Sequence, residues 1–209
     1  MTCLTNFAIT TQTTTSMPAA LSVRVPSNEA GNLAVYEDPA GIMLLLGPKD
    51  GWTCHGLYGA DGSGGLLISP TGESVPNDPD AGWHLAASSL IQAIVGYETG
   101  GSSVQGAVLA CSLFGTAATV YMQSFNKSCS THPSQETVAT ISGVAQSFED
   151  PAGVTGDGIP SGGQNAANGV VLYLPKPNEP PASIATCTLP ESQHDLCTAV
   201  LNHFVLLYG

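Results

Sequence analysis

Residues 170–204, VVLYLPKPNEPPASIATCTLPESQHDLCTAVLNHF, carry the strongest secondary-structure signals in the chain. Val170–Leu174 is a short, continuous apolar run of β-branched, aromatic and leucine side chains, which predicts a buried strand. Ser183–Cys187 follows after a Pro-rich turn and predicts a second strand. We therefore expect a sheet to organise the C-terminal part of the chain.

A helix is predicted after these two strands. Pro190 suits a first helical turn, because the N–H that proline lacks would be unpaired there in any case. Leu196, Val200 and Phe204 then recur on one helical face, as they would in a helix that packs on a sheet.

The rest of the chain adds short strands first and helices later. Alternating or apolar segments predict strands near 21–26, 33–36, 42–46, 52–58, 66–68 and 138–148. Helical spacing predicts helices at Leu85–Val95 and Val104–Met122, the second of which Gly115 can divide into two. We predict an α+β fold in which an antiparallel sheet packs against two or three helices. One domain is expected to span residues 1–209, with a polar segment at 1–20 and a long Gly/Pro loop at 150–169.

The cysteine count and the charge balance limit the compartment and the partners that the protein can have. Six cysteines are spread along the chain, which carries sixteen acidic residues against four Lys and Arg, a formal net charge of -12. An even count of dispersed cysteines predicts disulfides and hence an oxidising, extracellular compartment, secreted or at the cell surface. The scarcity of basic residues excludes nucleic acid and anionic membranes as partners. Few ion pairs can be lost on acidification, so we also predict tolerance of acid.

Two segments are considered as a signal peptide and as a membrane span: the N-terminus and the uncharged segment 99–126. The start, MTCLTN, lacks the basic and apolar regions of a signal peptide, so we interpret Met1 as a start placed on a mature secreted chain. A lipid-modified Cys3 is the alternative. The uncharged segment 99–126 contains enough Gly, Ser, Thr and Gln for a buried helix to be favoured over a membrane span.

The disulfide pairing can be predicted only in part. Cys187 ends a strand and Cys197 lies in the following helix, so a local bridge between them is expected. A bridge from Cys54 to Cys111 would tie sheet to helix, which leaves Cys3 with Cys129. Other pairings stay open.

Candidate functional residues lie in loops and beside glycines. The segments YEDPAGI (36–42) and FEDPAGV (148–154) echo each other, either as two Asp-Pro turns or as a duplicated binding loop. This echo makes Asp38 and Asp150 candidates, and Asp157 adds a carboxylate in the same glycine-rich loop. Trp52 and Trp83 each follow a glycine and belong either to the core or to a ligand-binding surface.

Catalytic and metal-binding motifs are weak by comparison. The five histidines are scattered and no Cys-x-x-Cys pair occurs, so neither a metal nor another cofactor is predicted. The sequence DGSGG (61–65) differs in order from the nucleophile loop of chymotrypsin-like proteases and is interpreted as a hairpin turn.

Four stretches carry a resemblance to a protein family: GWTC (51–54), YGADGS (58–63), LACSLF (109–114) and DPAGVTGDG (150–158). They resemble uncharacterised exported proteins of actinobacteria, over roughly residues 20–205. The resemblance implies export from a bacterium and a bridge between the cysteine of GWTC and that of LACSLF. It implies no activity and no site residues.

Two functions are compatible with these features. The first is a non-catalytic extracellular module for binding or assembly, whose partner is an extracellular protein, a polysaccharide or another copy of the chain. The alternative is an acid-tolerant secreted hydrolase that uses loop carboxylates. A pocket of converging carboxylates with raised pKa values would favour the hydrolase.

Overall fold

A computed structural model of the protein describes residues 3–7, 25–37, 43–58, 64–71, 93–100, 103–123, 126–129, 131–158, 162–174 and 182–209. The predicted polar segment 1–20, the predicted helix at 85–95, Asp38 and Trp83 therefore lie wholly or largely outside the described residues.

The described part of the chain is mostly antiparallel β-sheet. Its strands are β1 Leu4–Phe7, β2 Leu33–Glu37, β3 Leu44–Pro48, β4 Trp52–Tyr58, β5 Gly64–Pro70, β6 Val95–Thr99, β7 Thr137–Thr140, β8 Ala145–Asp150, β9 Ala167–Tyr173 and β10 Ala182–Cys187. Eight of them form one sheet in the order β1-β4-β5-β6-β10-β9-β8-β7, while β2 and β3 form a separate hairpin. Every neighbouring pair is antiparallel except β1 with β4, which is parallel.

Three α-helices and one 3-10 turn complete the described structure. Helix α1 spans Ser103–Ala110, α2 spans Gly115–Gln123, and α3 spans His194–Tyr208 directly after the 3-10 turn Glu191–Gln193. Gly115 begins α2, so the predicted division of the apolar segment is confirmed. Among the described residues, no helix is long and apolar enough to cross a membrane.

The large sheet is covered on both faces, because alternate residues of its strands belong to different cores. Val170 and Leu172 join the core that contains the β2–β3 hairpin and the buried face of α3. Val171 and Tyr173 join a second core, which contains Ala110 of α1. A strand that is buried on both faces is apolar throughout, and this explains the VVLYL run.

The position of β6 differs from the sequence prediction. Helical spacing predicts a helix that ends at Val95, but Val95–Thr99 is a strand between β5 and β10. Gly96 has Leu67 and Thr186 as its register partners in these two strands. Val95 is completely buried, because both edges of the strand are paired and the core covers it.

The disulfides confirm one predicted pair and correct two. Cys187 is bonded to Cys197 as predicted. Cys54 pairs with Cys3 and not with Cys111, while Cys111 pairs with Cys129. The physical reason is the parallel pairing of β1 with β4, whose register aligns Leu4 with His55 and so brings Cys3 beside Cys54. The bond at Cys3 also leaves that sulfur without a free thiol for lipid attachment.

The disulfide assignment gives a direct test. Thiol titration of the denatured, unreduced protein is expected to find none of the six cysteines free. Peptide mapping should recover the pairs 3–54, 111–129 and 187–197. Two or more free thiols, or a linked peptide joining Cys54 to Cys111, would contradict the structure.

Candidate functional site

A surface groove lies where the β2–β3 hairpin meets the beginning of α3. Gly51 forms the turn between β3 and β4 with a φ of 76°, a left-handed conformation that glycine adopts without strain. The turn before β2 is tied to it by the Lys49 N–H, which donates to the Asn32 carbonyl at 2.9 Å. The Cys187–Cys197 bond holds the beginning of α3 to the end of β10.

The groove has an aromatic and polar lining. Its volume is about 410 Å³, and it is bounded by Glu29, Asn32, Pro48, Lys49, Asp50, Trp52, Ser192, Gln193, Asp195 and Leu196. Pro48 and Leu196 are buried, while Trp52 is partly exposed and also packs against the main core. The core interpretation of Trp52 is therefore confirmed in part, because the indole contacts the core; the same residue also lines the groove.

The groove carries more negative than positive side chains. Three carboxylates, Glu29, Asp50 and Asp195, face one ammonium group, Lys49, which gives a formal net charge of -2. Glu29 accepts hydrogen bonds from the side-chain amides of Asn28 and Asn32, at 2.8 and 3.3 Å. The groove therefore disfavours anionic ligands, in line with the net charge of the whole chain.

A second cluster contains the candidates Asp150 and Asp157 together with Glu136. Asp150 ends β8, Glu136 directly precedes β7, and Asp157 lies in the loop between β8 and β9. Asp150 and Glu136 are buried, with exposed fractions of 2% and 6%, and Asp157 is partly buried. We call these three residues the acidic cluster. None of them lines the Trp52 groove.

Hydrogen bonds join the acidic cluster to the surrounding backbone. The Gly158 N–H donates to Asp150 Oδ2 at 2.7 Å, and the Asp157 N–H donates to Glu136 Oε2 at 2.9 Å. The hydroxyl of Ser112, in the turn after α1, donates to Asp157 Oδ2 at 2.5 Å.

The acidic cluster holds more protons than exposed carboxylates would. Burial, and then a hydrogen bond with Asp150, raises the pKa of Glu136 to about 8. Burial also raises the pKa of Asp157, against the opposing hydrogen bond from Ser112. Glu136 Oε1 and Asp150 Oδ1 have no hydrogen-bond donor if both carboxyls are ionised. A proton on Glu136 supplies that donor, because a protonated carboxyl can donate where a carboxylate can only accept.

Sequence reasoning found Asp150 and Asp157 but missed Glu136 and Ser112. The contact between Glu136 and Asp157 joins residues 21 positions apart, and that between Ser112 and Asp157 joins residues 45 apart. No local spacing signals such contacts. Within the described ranges, no group of three or more His, Cys, Asp or Glu side chains is arranged to hold a metal ion.

These features define a class: a disulfide-bonded, mainly antiparallel β domain with a groove beside its hairpin and a buried acidic cluster. Comparison with known proteins places it no further, because no family model, curated protein or solved structure matches the chain.

Proposed function

We propose that the chain is a non-catalytic extracellular module that binds a neutral or amine-bearing polysaccharide in the Trp52 groove. The observation that carries this proposal is the partly exposed Trp52 in a groove lined by carboxylate, amide and hydroxyl groups. The C–H face of a sugar ring packs on an indole, while its hydroxyls exchange hydrogen bonds with carboxylates and amides. Ligand sites commonly combine apolar surface with a few placed polar groups.

The extracellular location is part of the same proposal. Three disulfides in the described structure support an oxidising compartment. The low content of basic residues supports a partner other than nucleic acid. Export by an actinobacterium remains a prediction from the sequence resemblance.

The buried carboxyls weigh against the hydrolase alternative. Three carboxyls do converge, and the pKa values of Glu136 and Asp157 are raised, as a catalytic pair would require. Glu136 and Asp150 are nonetheless buried, and a polymer must contact both groups of a catalytic pair to be cleaved. We therefore assign the acidic cluster a role in holding the fold together.

Substitution of Trp52 tests the proposed function. Retention of the protein on insoluble cellulose, chitin and α-glucan would be measured first, followed by calorimetric titration with oligosaccharides of the polymer that retains it. Trp52→Ala should weaken binding at least about tenfold, or roughly 1.4 kcal/mol, because the packing surface for the sugar ring is lost. Trp52→Phe should retain most of the affinity, since it keeps an aromatic face.

Two further variants separate binding from folding. Gln193→Ala removes a polar group from the groove without touching the indole and should also weaken binding. Leu206→Ala is the matched control, because this side chain is 68% exposed and lies outside the groove. Retention on none of the polymers, or equal binding by Trp52→Ala and Leu206→Ala, would contradict the proposed function.

A further inference from the structure

The acidic cluster and Ser112, which is hydrogen-bonded to it, join four parts of the chain. Glu136 lies before β7, Asp150 at the end of β8, Asp157 in the following loop and Ser112 in the α1–α2 turn. The Gly158 and Asp157 N–H groups are both held by carboxyls of the cluster. The cluster thus fixes the loop segment 151–158 to the end of the sheet and to the helical layer.

A proton on Glu136 would remove two electrostatic costs of this arrangement. With Glu136 and Asp150 both ionised, two buried carboxylates would repel each other and each would retain an oxygen without a donor. The imidazole of His132 is the basic side chain beside this pair among the described residues, but its Nδ1 lies 3.6 Å from Glu136 Oε1 and its side chain is 42% exposed. Solvent therefore screens the charge with which His132 could neutralise the pair.

We propose that the acidic cluster is a proton-operated latch, which holds the segment 151–158 in acid and releases it at alkaline pH. The ionisable side chains that face one another at this position are the carboxyls of Glu136, Asp150 and Asp157 and the imidazole of His132. Deprotonation removes the donor shared by Glu136 and Asp150, so the loop loses its support. The inference concerns a region outside the Trp52 groove and does not rest on the proposed binding function.

The direction of the pH effect follows from the raised pKa values. The folded protein holds a proton on Glu136 up to a pH of about 8, whereas the unfolded chain releases it near 4.5. The contribution of this group to stability is therefore complete below pH 4.5 and declines as the pH rises towards 8. The raised pKa of Asp157 acts in the same direction. Acidification from pH 8.5 to 5.5 should thus raise the melting temperature.

Hydrogen exchange of the latch segment tests the proposal locally. Exchange at Asp157 and Gly158, corrected for intrinsic rates, should be at least about tenfold slower at pH 5.5 than at pH 8.5. Glu136→Gln should remove most of this dependence, since the amide remains neutral and can still donate to Asp150. Glu149→Gln is the matched control, because it removes one negative charge from the adjacent, exposed position on β8 and should leave the dependence unchanged.

Three outcomes would overturn the latch. The first is equal protection at the two pH values in the wild-type protein. The second is an equal loss of pH dependence in Glu149→Gln, which would indicate relief of net charge alone. The third is millimolar calcium restoring protection at pH 8.5, which would identify a cation site. If Glu136→Gln does not fold, carbon-detected NMR titration of Glu136 in the wild-type protein decides instead. A midpoint well above 4.5 supports the latch, and one near 4.5 overturns it.

Discussion

Replacing Gly156 or Gly158 with alanine should lower the free energy of unfolding by about 3 kcal/mol at each site, through overpacking and loss of a buried hydrogen bond. A Cβ on Gly156 would overlap the carboxylate of Asp150. A Cβ on Gly158 would overlap Ala167 and would lie 2.9 Å from Asp150 Oδ2, the atom that accepts the Gly158 N–H. Because Asp150 is buried at the end of β8, its carboxylate has little room to move.

Chemical unfolding monitored by circular dichroism measures the loss of unfolding free energy, and thermal unfolding measures the accompanying change in melting temperature. The melting temperature should fall by roughly 10 °C for each variant, given a chain of this length. Since both substitutions disturb Asp150, the double variant should lose less stability than the sum of the single losses. Gly143→Ala is the matched control, because no atom beyond its two chain neighbours lies within 4 Å of its added Cβ. A loss of 1 kcal/mol or less at Gly156 and Gly158 would contradict the close packing on Asp150.

The glycine-rich loop shows what a sequence leaves open about a glycine. Glycines in 150–169 are compatible either with a closely packed backbone or with positive φ angles. Only Gly153 and Gly162 have positive φ among the described residues of that loop. Gly156 and Gly158 are required for space, because a buried carboxylate lies against their backbone. The sequence shows where a glycine lies. It does not show whether that glycine is needed for a positive φ angle or for the close packing of another side chain against its backbone.

The fold was more predictable where its signals are local. Val170–Leu174 and Pro190–Phe204 carry composition and spacing that need only their own neighbours to be interpreted, and both correspond to described elements. Val95–Thr99 was missed because it contains a glycine and a glutamate and follows a segment with helical spacing. Its character as a strand comes from β5 and β10, which pair with it on both sides.

The candidate site was predictable only in its individual residues. The sequence indicates Trp52 as a candidate because tryptophan side chains often bind ligands. The groove that Trp52 lines is formed by the turns before β2 and after β3 and by the beginning of α3. Asp150 was a candidate because of a repeated motif, yet its burial depends on the loop that returns over it. Contacts between distant segments create both features, and no spacing in the sequence encodes them.

The disulfides should differ in their contribution to stability according to the length of chain that each one closes. The pairs 3–54, 111–129 and 187–197 separate residues 51, 18 and 10 positions apart. Restriction of the unfolded chain then predicts losses of about 4, about 3 and slightly under 3 kcal/mol when each pair is replaced by alanine. Urea unfolding of the three double-alanine variants would measure these losses. An inverted order would show that effects in the folded state outweigh chain entropy.

The pair with the smallest predicted loss of stability should have the largest effect on binding. Cys187–Cys197 holds the beginning of α3, which supplies Ser192, Gln193 and Asp195 to the groove together with the preceding 3-10 turn. Cys111–Cys129 contributes no residue to the groove lining and serves as the control. Polysaccharide retention should therefore fall several-fold in Cys187→Ala/Cys197→Ala and remain near the wild-type level in Cys111→Ala/Cys129→Ala, at a temperature where both variants are folded. Equal retention by the two variants would show that the groove does not need this bridge, because the core contacts of α3 alone would then position its first turn.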